Sequence, residues 1–378
     1  MKKLVVVLAL FSAVASAEIK PEQIGVVETL PDTYPPHWII AQDGAFFHMN
    51  DGKFIVLDAD SDDPASRYKG MFNGSLIAQF YQAKTKPEMY VIETFYSRGN
   101  RGERTDVLTV YSKSNLAPIG EVVIPPKRAA EIPTQYNLQL VDDEKIALVY
   151  NFTPATSVSV VDVVTREFLG EVPIPGCALV YPMAERTFGS LCSDGSMLVV
   201  ELDDEGQQVA SRRSEPFFDA ENDPIMERAA IHDGTAYFPS FKGKVYPVDL
   251  SGKSPVFRKP WSLVGSEVGG WRPGGLQLAG TDSNGRLYVL MHPEGRDGTH
   301  KDPGVEVWVF DTEAKRRTNR IELQLPAISL ALTRDENPLL VATNINLEID
   351  VYDANDGTHL RTLGNFGQET PFILHGAH

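Results

Sequence analysis

The chain has 378 residues and a formal charge of −16, and after its first seventeen residues it contains no long apolar run. An acid excess of this size argues against nucleic acid or an anionic membrane as partner, because both repel a negative surface. A spanning helix needs about 20 apolar residues, which no later stretch provides, and length alone admits two or three domains or one large β domain.

Residues 1–17, MKKLVVVLALFSAVASA, join a basic start at Lys2 and Lys3 to an apolar run and an Ala15-Ser16-Ala17 ending. That is the pattern of a cleaved secretory signal, so the mature chain is expected to be exported and soluble. Residues 18–36 then read as an extended arm, rich in Pro and without helical periodicity. The folded domain is expected over 37–378, with "WIIAQ" or "AFFHM" near its start supplying the strand that closes the last blade of the array described next.

One pattern recurs along this domain: an alternating apolar run ends in an acidic or small polar residue, a turn follows, and a second strand comes after it. The first strands end at Asp58, Ser112, Asp162, Glu201, Asp249, Asp311 and Asp353. Their mean spacing, about 49 residues, suits paired strands in a propeller blade. Partner strands such as "IGEVVIP", "LGEVPIP" and "TNRIEL" complete the hairpins, and "KIALVYNF", "TAYFPSF", "RLYVLM" and "PLLVATN" fit inner strands entered through turn signals. No amphipathic helix of useful length is visible. The expected fold is all-β, a seven-bladed β-propeller.

Cys177 and Cys192 are the two cysteines, and an even count in an exported chain suggests a disulfide. Zinc would require further Cys or His ligands nearby. The closed loop would contribute roughly 3 kcal/mol through chain entropy. The sequons at Asn73 and Asn151 are short and therefore weak signals.

The search for chemistry centres on "VLMHPEGRDGTHKDPGVEVWVFD", Val289 to Asp311, where a polar loop with His292 and His300 separates two strand-like runs. A metal there would need a third ligand from Glu294, Asp297 or Asp302, in a spacing that matches no zinc pattern. Pro293, Gly295, Gly298 and Pro303 instead suggest a shaped backbone, so His292, Pro293, His300 and Lys301 are read as a partner-interface loop without metal. There is no nucleophile elbow and no phosphate-binding glycine loop. The strand-end carboxylates recur with the fold and are expected to accept backbone hydrogen bonds in turns. The four Trp stand apart and carry no cross-linking motif. No catalytic, cofactor-binding or metal residue is therefore assigned to this chain.

At that loop the sequence resembles a known family. "RLYVLMHPEGRDGTHKDPGVEVWVFDTEAKRRTNRIEL", "SRGNRGERTDVLTVY", "VVIPPKRAAEI", "TPATSVSVVDV", the cysteine pair with "CSDGS", and "PWSLVGSEVGGWRPGG" occur in the order found in heavy subunits of the tryptophan tryptophylquinone amine dehydrogenases. "PPKR", "PATS" and "MHPEGRDGTHK" place the chain nearer the aromatic (aralkyl) than the methylamine branch. The resemblance implies a seven-bladed heavy subunit paired with a small disulfide-rich light subunit in a periplasmic α2β2 complex. The light subunit would carry the quinone and the catalytic carboxylate, a primary amine would be the substrate, and a small blue copper protein would accept the electrons. It also implies the Cys177–Cys192 disulfide and places "MFNGSLIAQFY" near the light subunit. The alternatives are a methylamine dehydrogenase heavy chain and a free-standing periplasmic ligand-binding propeller.

Overall fold

The computed structural model describes residues 29–44, 51–75, 77–130, 133–225, 227–364, 366 and 370–377. The expected signal segment, the arm up to residue 28 and "AFFHM" lie outside them.

Strands dominate because the apolar runs are β-branched and aromatic and are broken at short intervals by Gly, Asp and Asn turns. One four-residue helix, Pro64–Arg67, is described. Both faces of the central strands are covered: Val307, Trp308, Val309 and Phe310 are all essentially inaccessible. Such continuous burial follows when sheets pack face to face around a ring, since each inner strand then has a neighbouring sheet on either side.

The chain forms an all-β propeller of antiparallel sheets. The first sheet unites both ends of the chain, with Trp38–Gly44 held between the C-terminal strand Thr370–Gly376 and Asp51–Asp58, and Tyr68–Ser75 outermost. The second runs Gln79–Gln82, Glu88–Tyr96, Arg104–Ser112, Pro118–Ile124, and the third Leu138–Val141, Ile146–Asn151, Ser157–Asp162, Glu167–Pro173. The fourth comprises Cys177–Pro182, Thr187–Cys192, Met197–Leu202 and Gln208–Arg213, and the five-stranded fifth begins at Ala230–His232.

Two expectations need correction. Seven separate blades are not formed: five sheets of four or five strands stand alone, and the remainder of the ring is a single eight-stranded sheet. The cause is one 17-residue strand, Arg316–Leu332, which pairs with Gly304–Asp311 along its first part and with Leu339–Asn344 along its last. Its sequence, RRTNRIELQLPAISLAL, has no Gly, Asp or Asn-Gly turn at which to break, so the outer strand of one hairpin continues as the inner strand of the next. The second correction concerns closure. "WIIAQ" is a strand, but it does not join the last sheet; the C-terminal strand comes to it instead. Gln277 fixes that strand in place, its side chain donating to Leu374 O at 2.8 Å and accepting from Leu374 N at 2.9 Å.

The strand-end carboxylates behave as turn acceptors. Asp162 takes the amides of Val164 and Thr165, Asp311 those of Glu313 and Ala314, and Asp353 that of Asn355. Of the two sequon asparagines, Asn151 is fully buried and donates to the hydroxyls of Ser157 and Ser159. The described end of the arm is docked: Leu30 N reaches Ser114 O at 2.7 Å, and the buried Tyr34 hydroxyl donates to Lys113 O at 2.7 Å.

Candidate functional site

Strand direction alternates within each sheet, so the turns joining second to third strands emerge together at one end of the ring. That end carries the loops 97–103, 152–156, 193–196, 240–243, 293–303 and 345–348. The loop conspicuous in the sequence is locked there. Glu294 N and Gly295 N donate to Gly269 O and Gly270 O, both at 2.8 Å, which joins the loop to "GGWRPGG". A Cβ on Gly295 would lie 1.9 Å from Arg272 Cγ, so this contact admits no side chain. Gly298 stands at φ 93° and opens a short 3-10 turn, Thr299–Lys301, closed by the Thr299 hydroxyl on Arg296 O.

His292 is buried at the base of the loop, its Nδ1 3.0 Å from Pro293 O and its Nε2 without a hydrogen-bond partner. His300 is half-buried, while Pro293 and Lys301 are exposed. Pro293, Lys301 and part of His300 share the loop's surface with Glu294, Arg296, Asp297 and Asp302, and His292 lies behind them. Among the described residues no three His, Cys, Asp or Glu side chains converge in a metal-binding group.

Beside this loop the fold unites two Trp that the sequence keeps 37 positions apart. Trp271 and Trp308 have ring centroids 5.0 Å apart. Arg317 lies over Trp308 at 4.2 Å, and Arg320 lies over both rings. The guanidinium groups are balanced by Glu267 and Glu306, and Glu306 also accepts the Trp308 indole N–H at 2.6 Å. Burial alone would raise the Glu306 carboxyl; hydrogen bonds from Arg320 and Trp308 outweigh it and hold it below the usual range.

Elsewhere on this end, Cys177 and Cys192 form a disulfide that joins the first two strands of the fourth sheet. Phe95, Phe152, Val268, Ile345 and Leu347 are exposed there, Val268 to 85 %. Exposed large apolar side chains are not confined to this end, since Val164, Phe168 and Val256 are also exposed.

A cavity of about 370 Å³ opens between the first and second sheets at the same end. Asn73, Gly74 and Ser75 of "MFNGSLIAQFY" form one side; Phe95, Tyr96 and Tyr111 supply aromatic walls. Glu93 lies in it, 3 % exposed, accepting from Ser75 N at 2.9 Å and from the Thr109 hydroxyl at 2.5 Å. Burial raises its pKa, against the pull of those hydrogen bonds and of Arg128. Next to it runs a charged network. Asp106, fully buried, takes a bidentate pair from Arg104 at 2.8 and 2.7 Å and the Thr94 hydroxyl at 2.8 Å. Arg128 Nε donates to the same Thr94 oxygen at 2.7 Å, and burial pushes this guanidinium down to about 10.

A second cavity, about 430 Å³, lies where the inner strands converge on the ring axis; its lining includes Lys84, Tyr136, Gln277, Arg334 and His375.

The family model described as methylamine dehydrogenase heavy chain (MADH) matches residues 37–377. The chain belongs to the methylamine dehydrogenase heavy chain family. Its relatives include the methylamine dehydrogenase heavy chain of Paracoccus versutus, 28 % identical over 89 % of this chain and 78 % of that one. The heavy chain of Methylophilus methylotrophus is 26 % identical over 97 % and 93 %. Among solved structures, a dihydro-heme d1 dehydrogenase aligns with TM-score 0.55 at 15 % identity, covering 93 % of this chain and 69 % of that one. A putative 6-phosphogluconolactonase from Bacteroides fragilis aligns with TM-score 0.58 at 8 % identity, covering 89 % and 96 %. At such identities these two share the fold alone.

For this heavy-chain family member, sequence reading missed Glu93, Asp106 and Arg128. Glu93 sits within "YVIETFY", where the alternation put a charged residue inside an otherwise apolar strand. That polar intrusion was the available signal. Arg128 carried none, because its partners are 22 and 34 residues away.

Proposed function

We propose that this chain is the non-catalytic heavy subunit of a periplasmic quinoprotein amine dehydrogenase acting on a primary aromatic amine, and that its loop-bearing end receives a disulfide-rich light subunit in an α2β2 complex. Family membership over residues 37–377 carries the reading. Phe95, Phe152, Val268, Ile345 and Leu347 would give that end apolar contact area for docking.

Oxidative deamination removes two electrons and two protons from the amine overall, with water supplying the aldehyde oxygen and nitrogen leaving as ammonia. Ordinary side chains provide no such electron sink, so a cofactor must supply it. The Trp271–Trp308 pair does not fit that role. Trp308 is completely buried, its indole N–H is committed to Glu306, and Arg317 and Arg320 lie over its ring, so it offers no face to a substrate. Tryptophan tryptophylquinone is accordingly assigned to the light subunit, with a small blue copper protein as electron acceptor.

The heavy chain's own work is to hold a surface. The loop at 293–303 keeps its shape through backbone hydrogen bonds, and in this reading the cavity beside Ser75 belongs to the docking end. Purified alone, the chain is expected to show no amine-dependent dye reduction and no quinone absorption; co-expression with its light subunit should confer both. Dye reduction by the partner-free chain would defeat the proposal. A second reading, with methylamine as substrate, is favoured by the relatives, which are methylamine dehydrogenase heavy chains. Comparing kcat/KM for methylamine and 2-phenylethylamine in the complex decides between them.

A further inference from the structure

The cavity between the first and second sheets combines three features that ordinary packing does not require together. It is about 370 Å³, large enough for a small organic ion. Its walls include Phe95, Tyr96 and Tyr111, whose ring faces carry partial negative charge. Glu93 stands among them, almost wholly buried, with one protein donor on each carboxylate oxygen. A carboxylate oxygen accepts two hydrogen bonds readily, so each retains room for another.

Nearby cations do not supply those bonds. Arg104 makes a bidentate pair with Asp106, and Arg128 donates to Thr94, Ile77 and its neighbour Ala129 among its partners. Among the described residues, Glu93 forms no ion pair within 4 Å, although Arg128 is close enough to lower its pKa. Burial outweighs these pulls and keeps that pKa raised.

A carboxylate with spare acceptor capacity among aromatic rings is the chemistry that recognises an ammonium group, by charge-assisted hydrogen bonds and cation–π attraction. We propose that this cavity is a binding site for a small primary ammonium ion, with Glu93 as the carboxylate that receives it and Tyr96 and Phe95 as its aromatic rim. That the ion is the amine substrate rests on the amine-dehydrogenase reading; that the cavity takes an ammonium ion does not. Glu93 would then be a specificity-determining residue of the heavy chain, setting how strongly the amine is concentrated beside the light subunit.

The test uses the heavy–light complex, with any quinone blocked by phenylhydrazine, titrated calorimetrically with 2-phenylethylammonium chloride and, as neutral control, 2-phenylethanol. Wild type should bind the ammonium probe at one site per heavy chain. Glu93→Gln, nearly isosteric, should weaken it about tenfold or more while leaving the alcohol unchanged, and Glu93→Asp should recover most of the loss. Tyr96→Leu, at a partly exposed wall, should weaken the ammonium probe too, and it decides the matter if Glu93→Gln does not fold. In the active complex, Glu93→Gln should raise KM with kcat little changed. Equal ammonium binding by wild type and Glu93→Gln, or no ammonium binding by wild type, would overturn the site. A complex that binds the probe but oxidises no amine would overturn the enzymatic reading and leave the ammonium site standing.

Discussion

Two corners of the same end of the ring are built on opposite terms. Around Trp271 and Trp308, charge is balanced locally: Arg317 and Arg320 face Glu267 and Glu306, and the loop above is bonded amide by amide to its neighbour. Around Glu93, Arg104 and Arg128 are bonded to Asp106 and Thr94, and a buried carboxylate borders a cavity. The first corner is conspicuous in the sequence, with its histidines, prolines and glycines, yet it is closed. The second is inconspicuous and holds the unspent capacity. Residues that catch the eye by type can be shaping backbone, whereas a binding site shows itself by what remains unsatisfied.

The comparison can be broken most forcefully at Arg128. Arg128→Met should destabilise the fold by about 3 to 5 kcal/mol, because Asp106 loses buried positive charge without regaining water. Urea unfolding measures it, and a loss under about 1 kcal/mol would show that Arg104 alone balances Asp106. At the closed corner, Gly295→Ala should cost about 1 to 3 kcal/mol, since the added methyl meets Arg272 Cγ and Gly270 O. Unchanged stability there would mean that the two loops are free to part. Asp311→Ala, which removes the acceptor for two turn amides, should cost about 1 kcal/mol.

The smallest expected effect sharpens the contrast through pH. Glu306 is held below the usual carboxylate range, so its contribution is present above that range and lost as pH falls through the lowered value. Glu93 is held above it, so its contribution is present at low pH and lost as pH rises through the raised value. Glu93→Gln should therefore gain thermal stability relative to wild type between pH 4 and pH 8, by about 2 °C or less. A gain in the opposite direction would place compensating positive charge beside Glu93.

Much of this architecture is legible in the sequence because it is local. The strand-end aspartates mark hairpin turns, and the cysteine pair is joined across adjacent strands. What sequence reading cannot see depends on contacts between distant segments. The division into sheets fails at "ELQLPAISLAL", where a missing turn lets one strand serve two hairpins. The candidate cavity is assembled from Asn73–Ser75, Glu93–Tyr96 and Tyr111, each unremarkable in its own strand. Even the Trp pair becomes a unit only after the loop at 269–270 is laid against 294–295.

The sharing of one sheet by both chain ends fixes an order of events. Trp38–Gly44 and its inner partner, Thr370–Gly376, are separated by more than 300 residues of chain, so they can pair only once the segments between them are in place. Until then one edge of that strand offers unpaired amides and carbonyls to any passing strand, the condition under which edge-to-edge aggregation begins. Closing a ring across more than 300 residues is also a slow, non-local step. A chain of this design gains from a chaperone or a docked partner that shields the open edge until Thr370–Gly376 pairs with it.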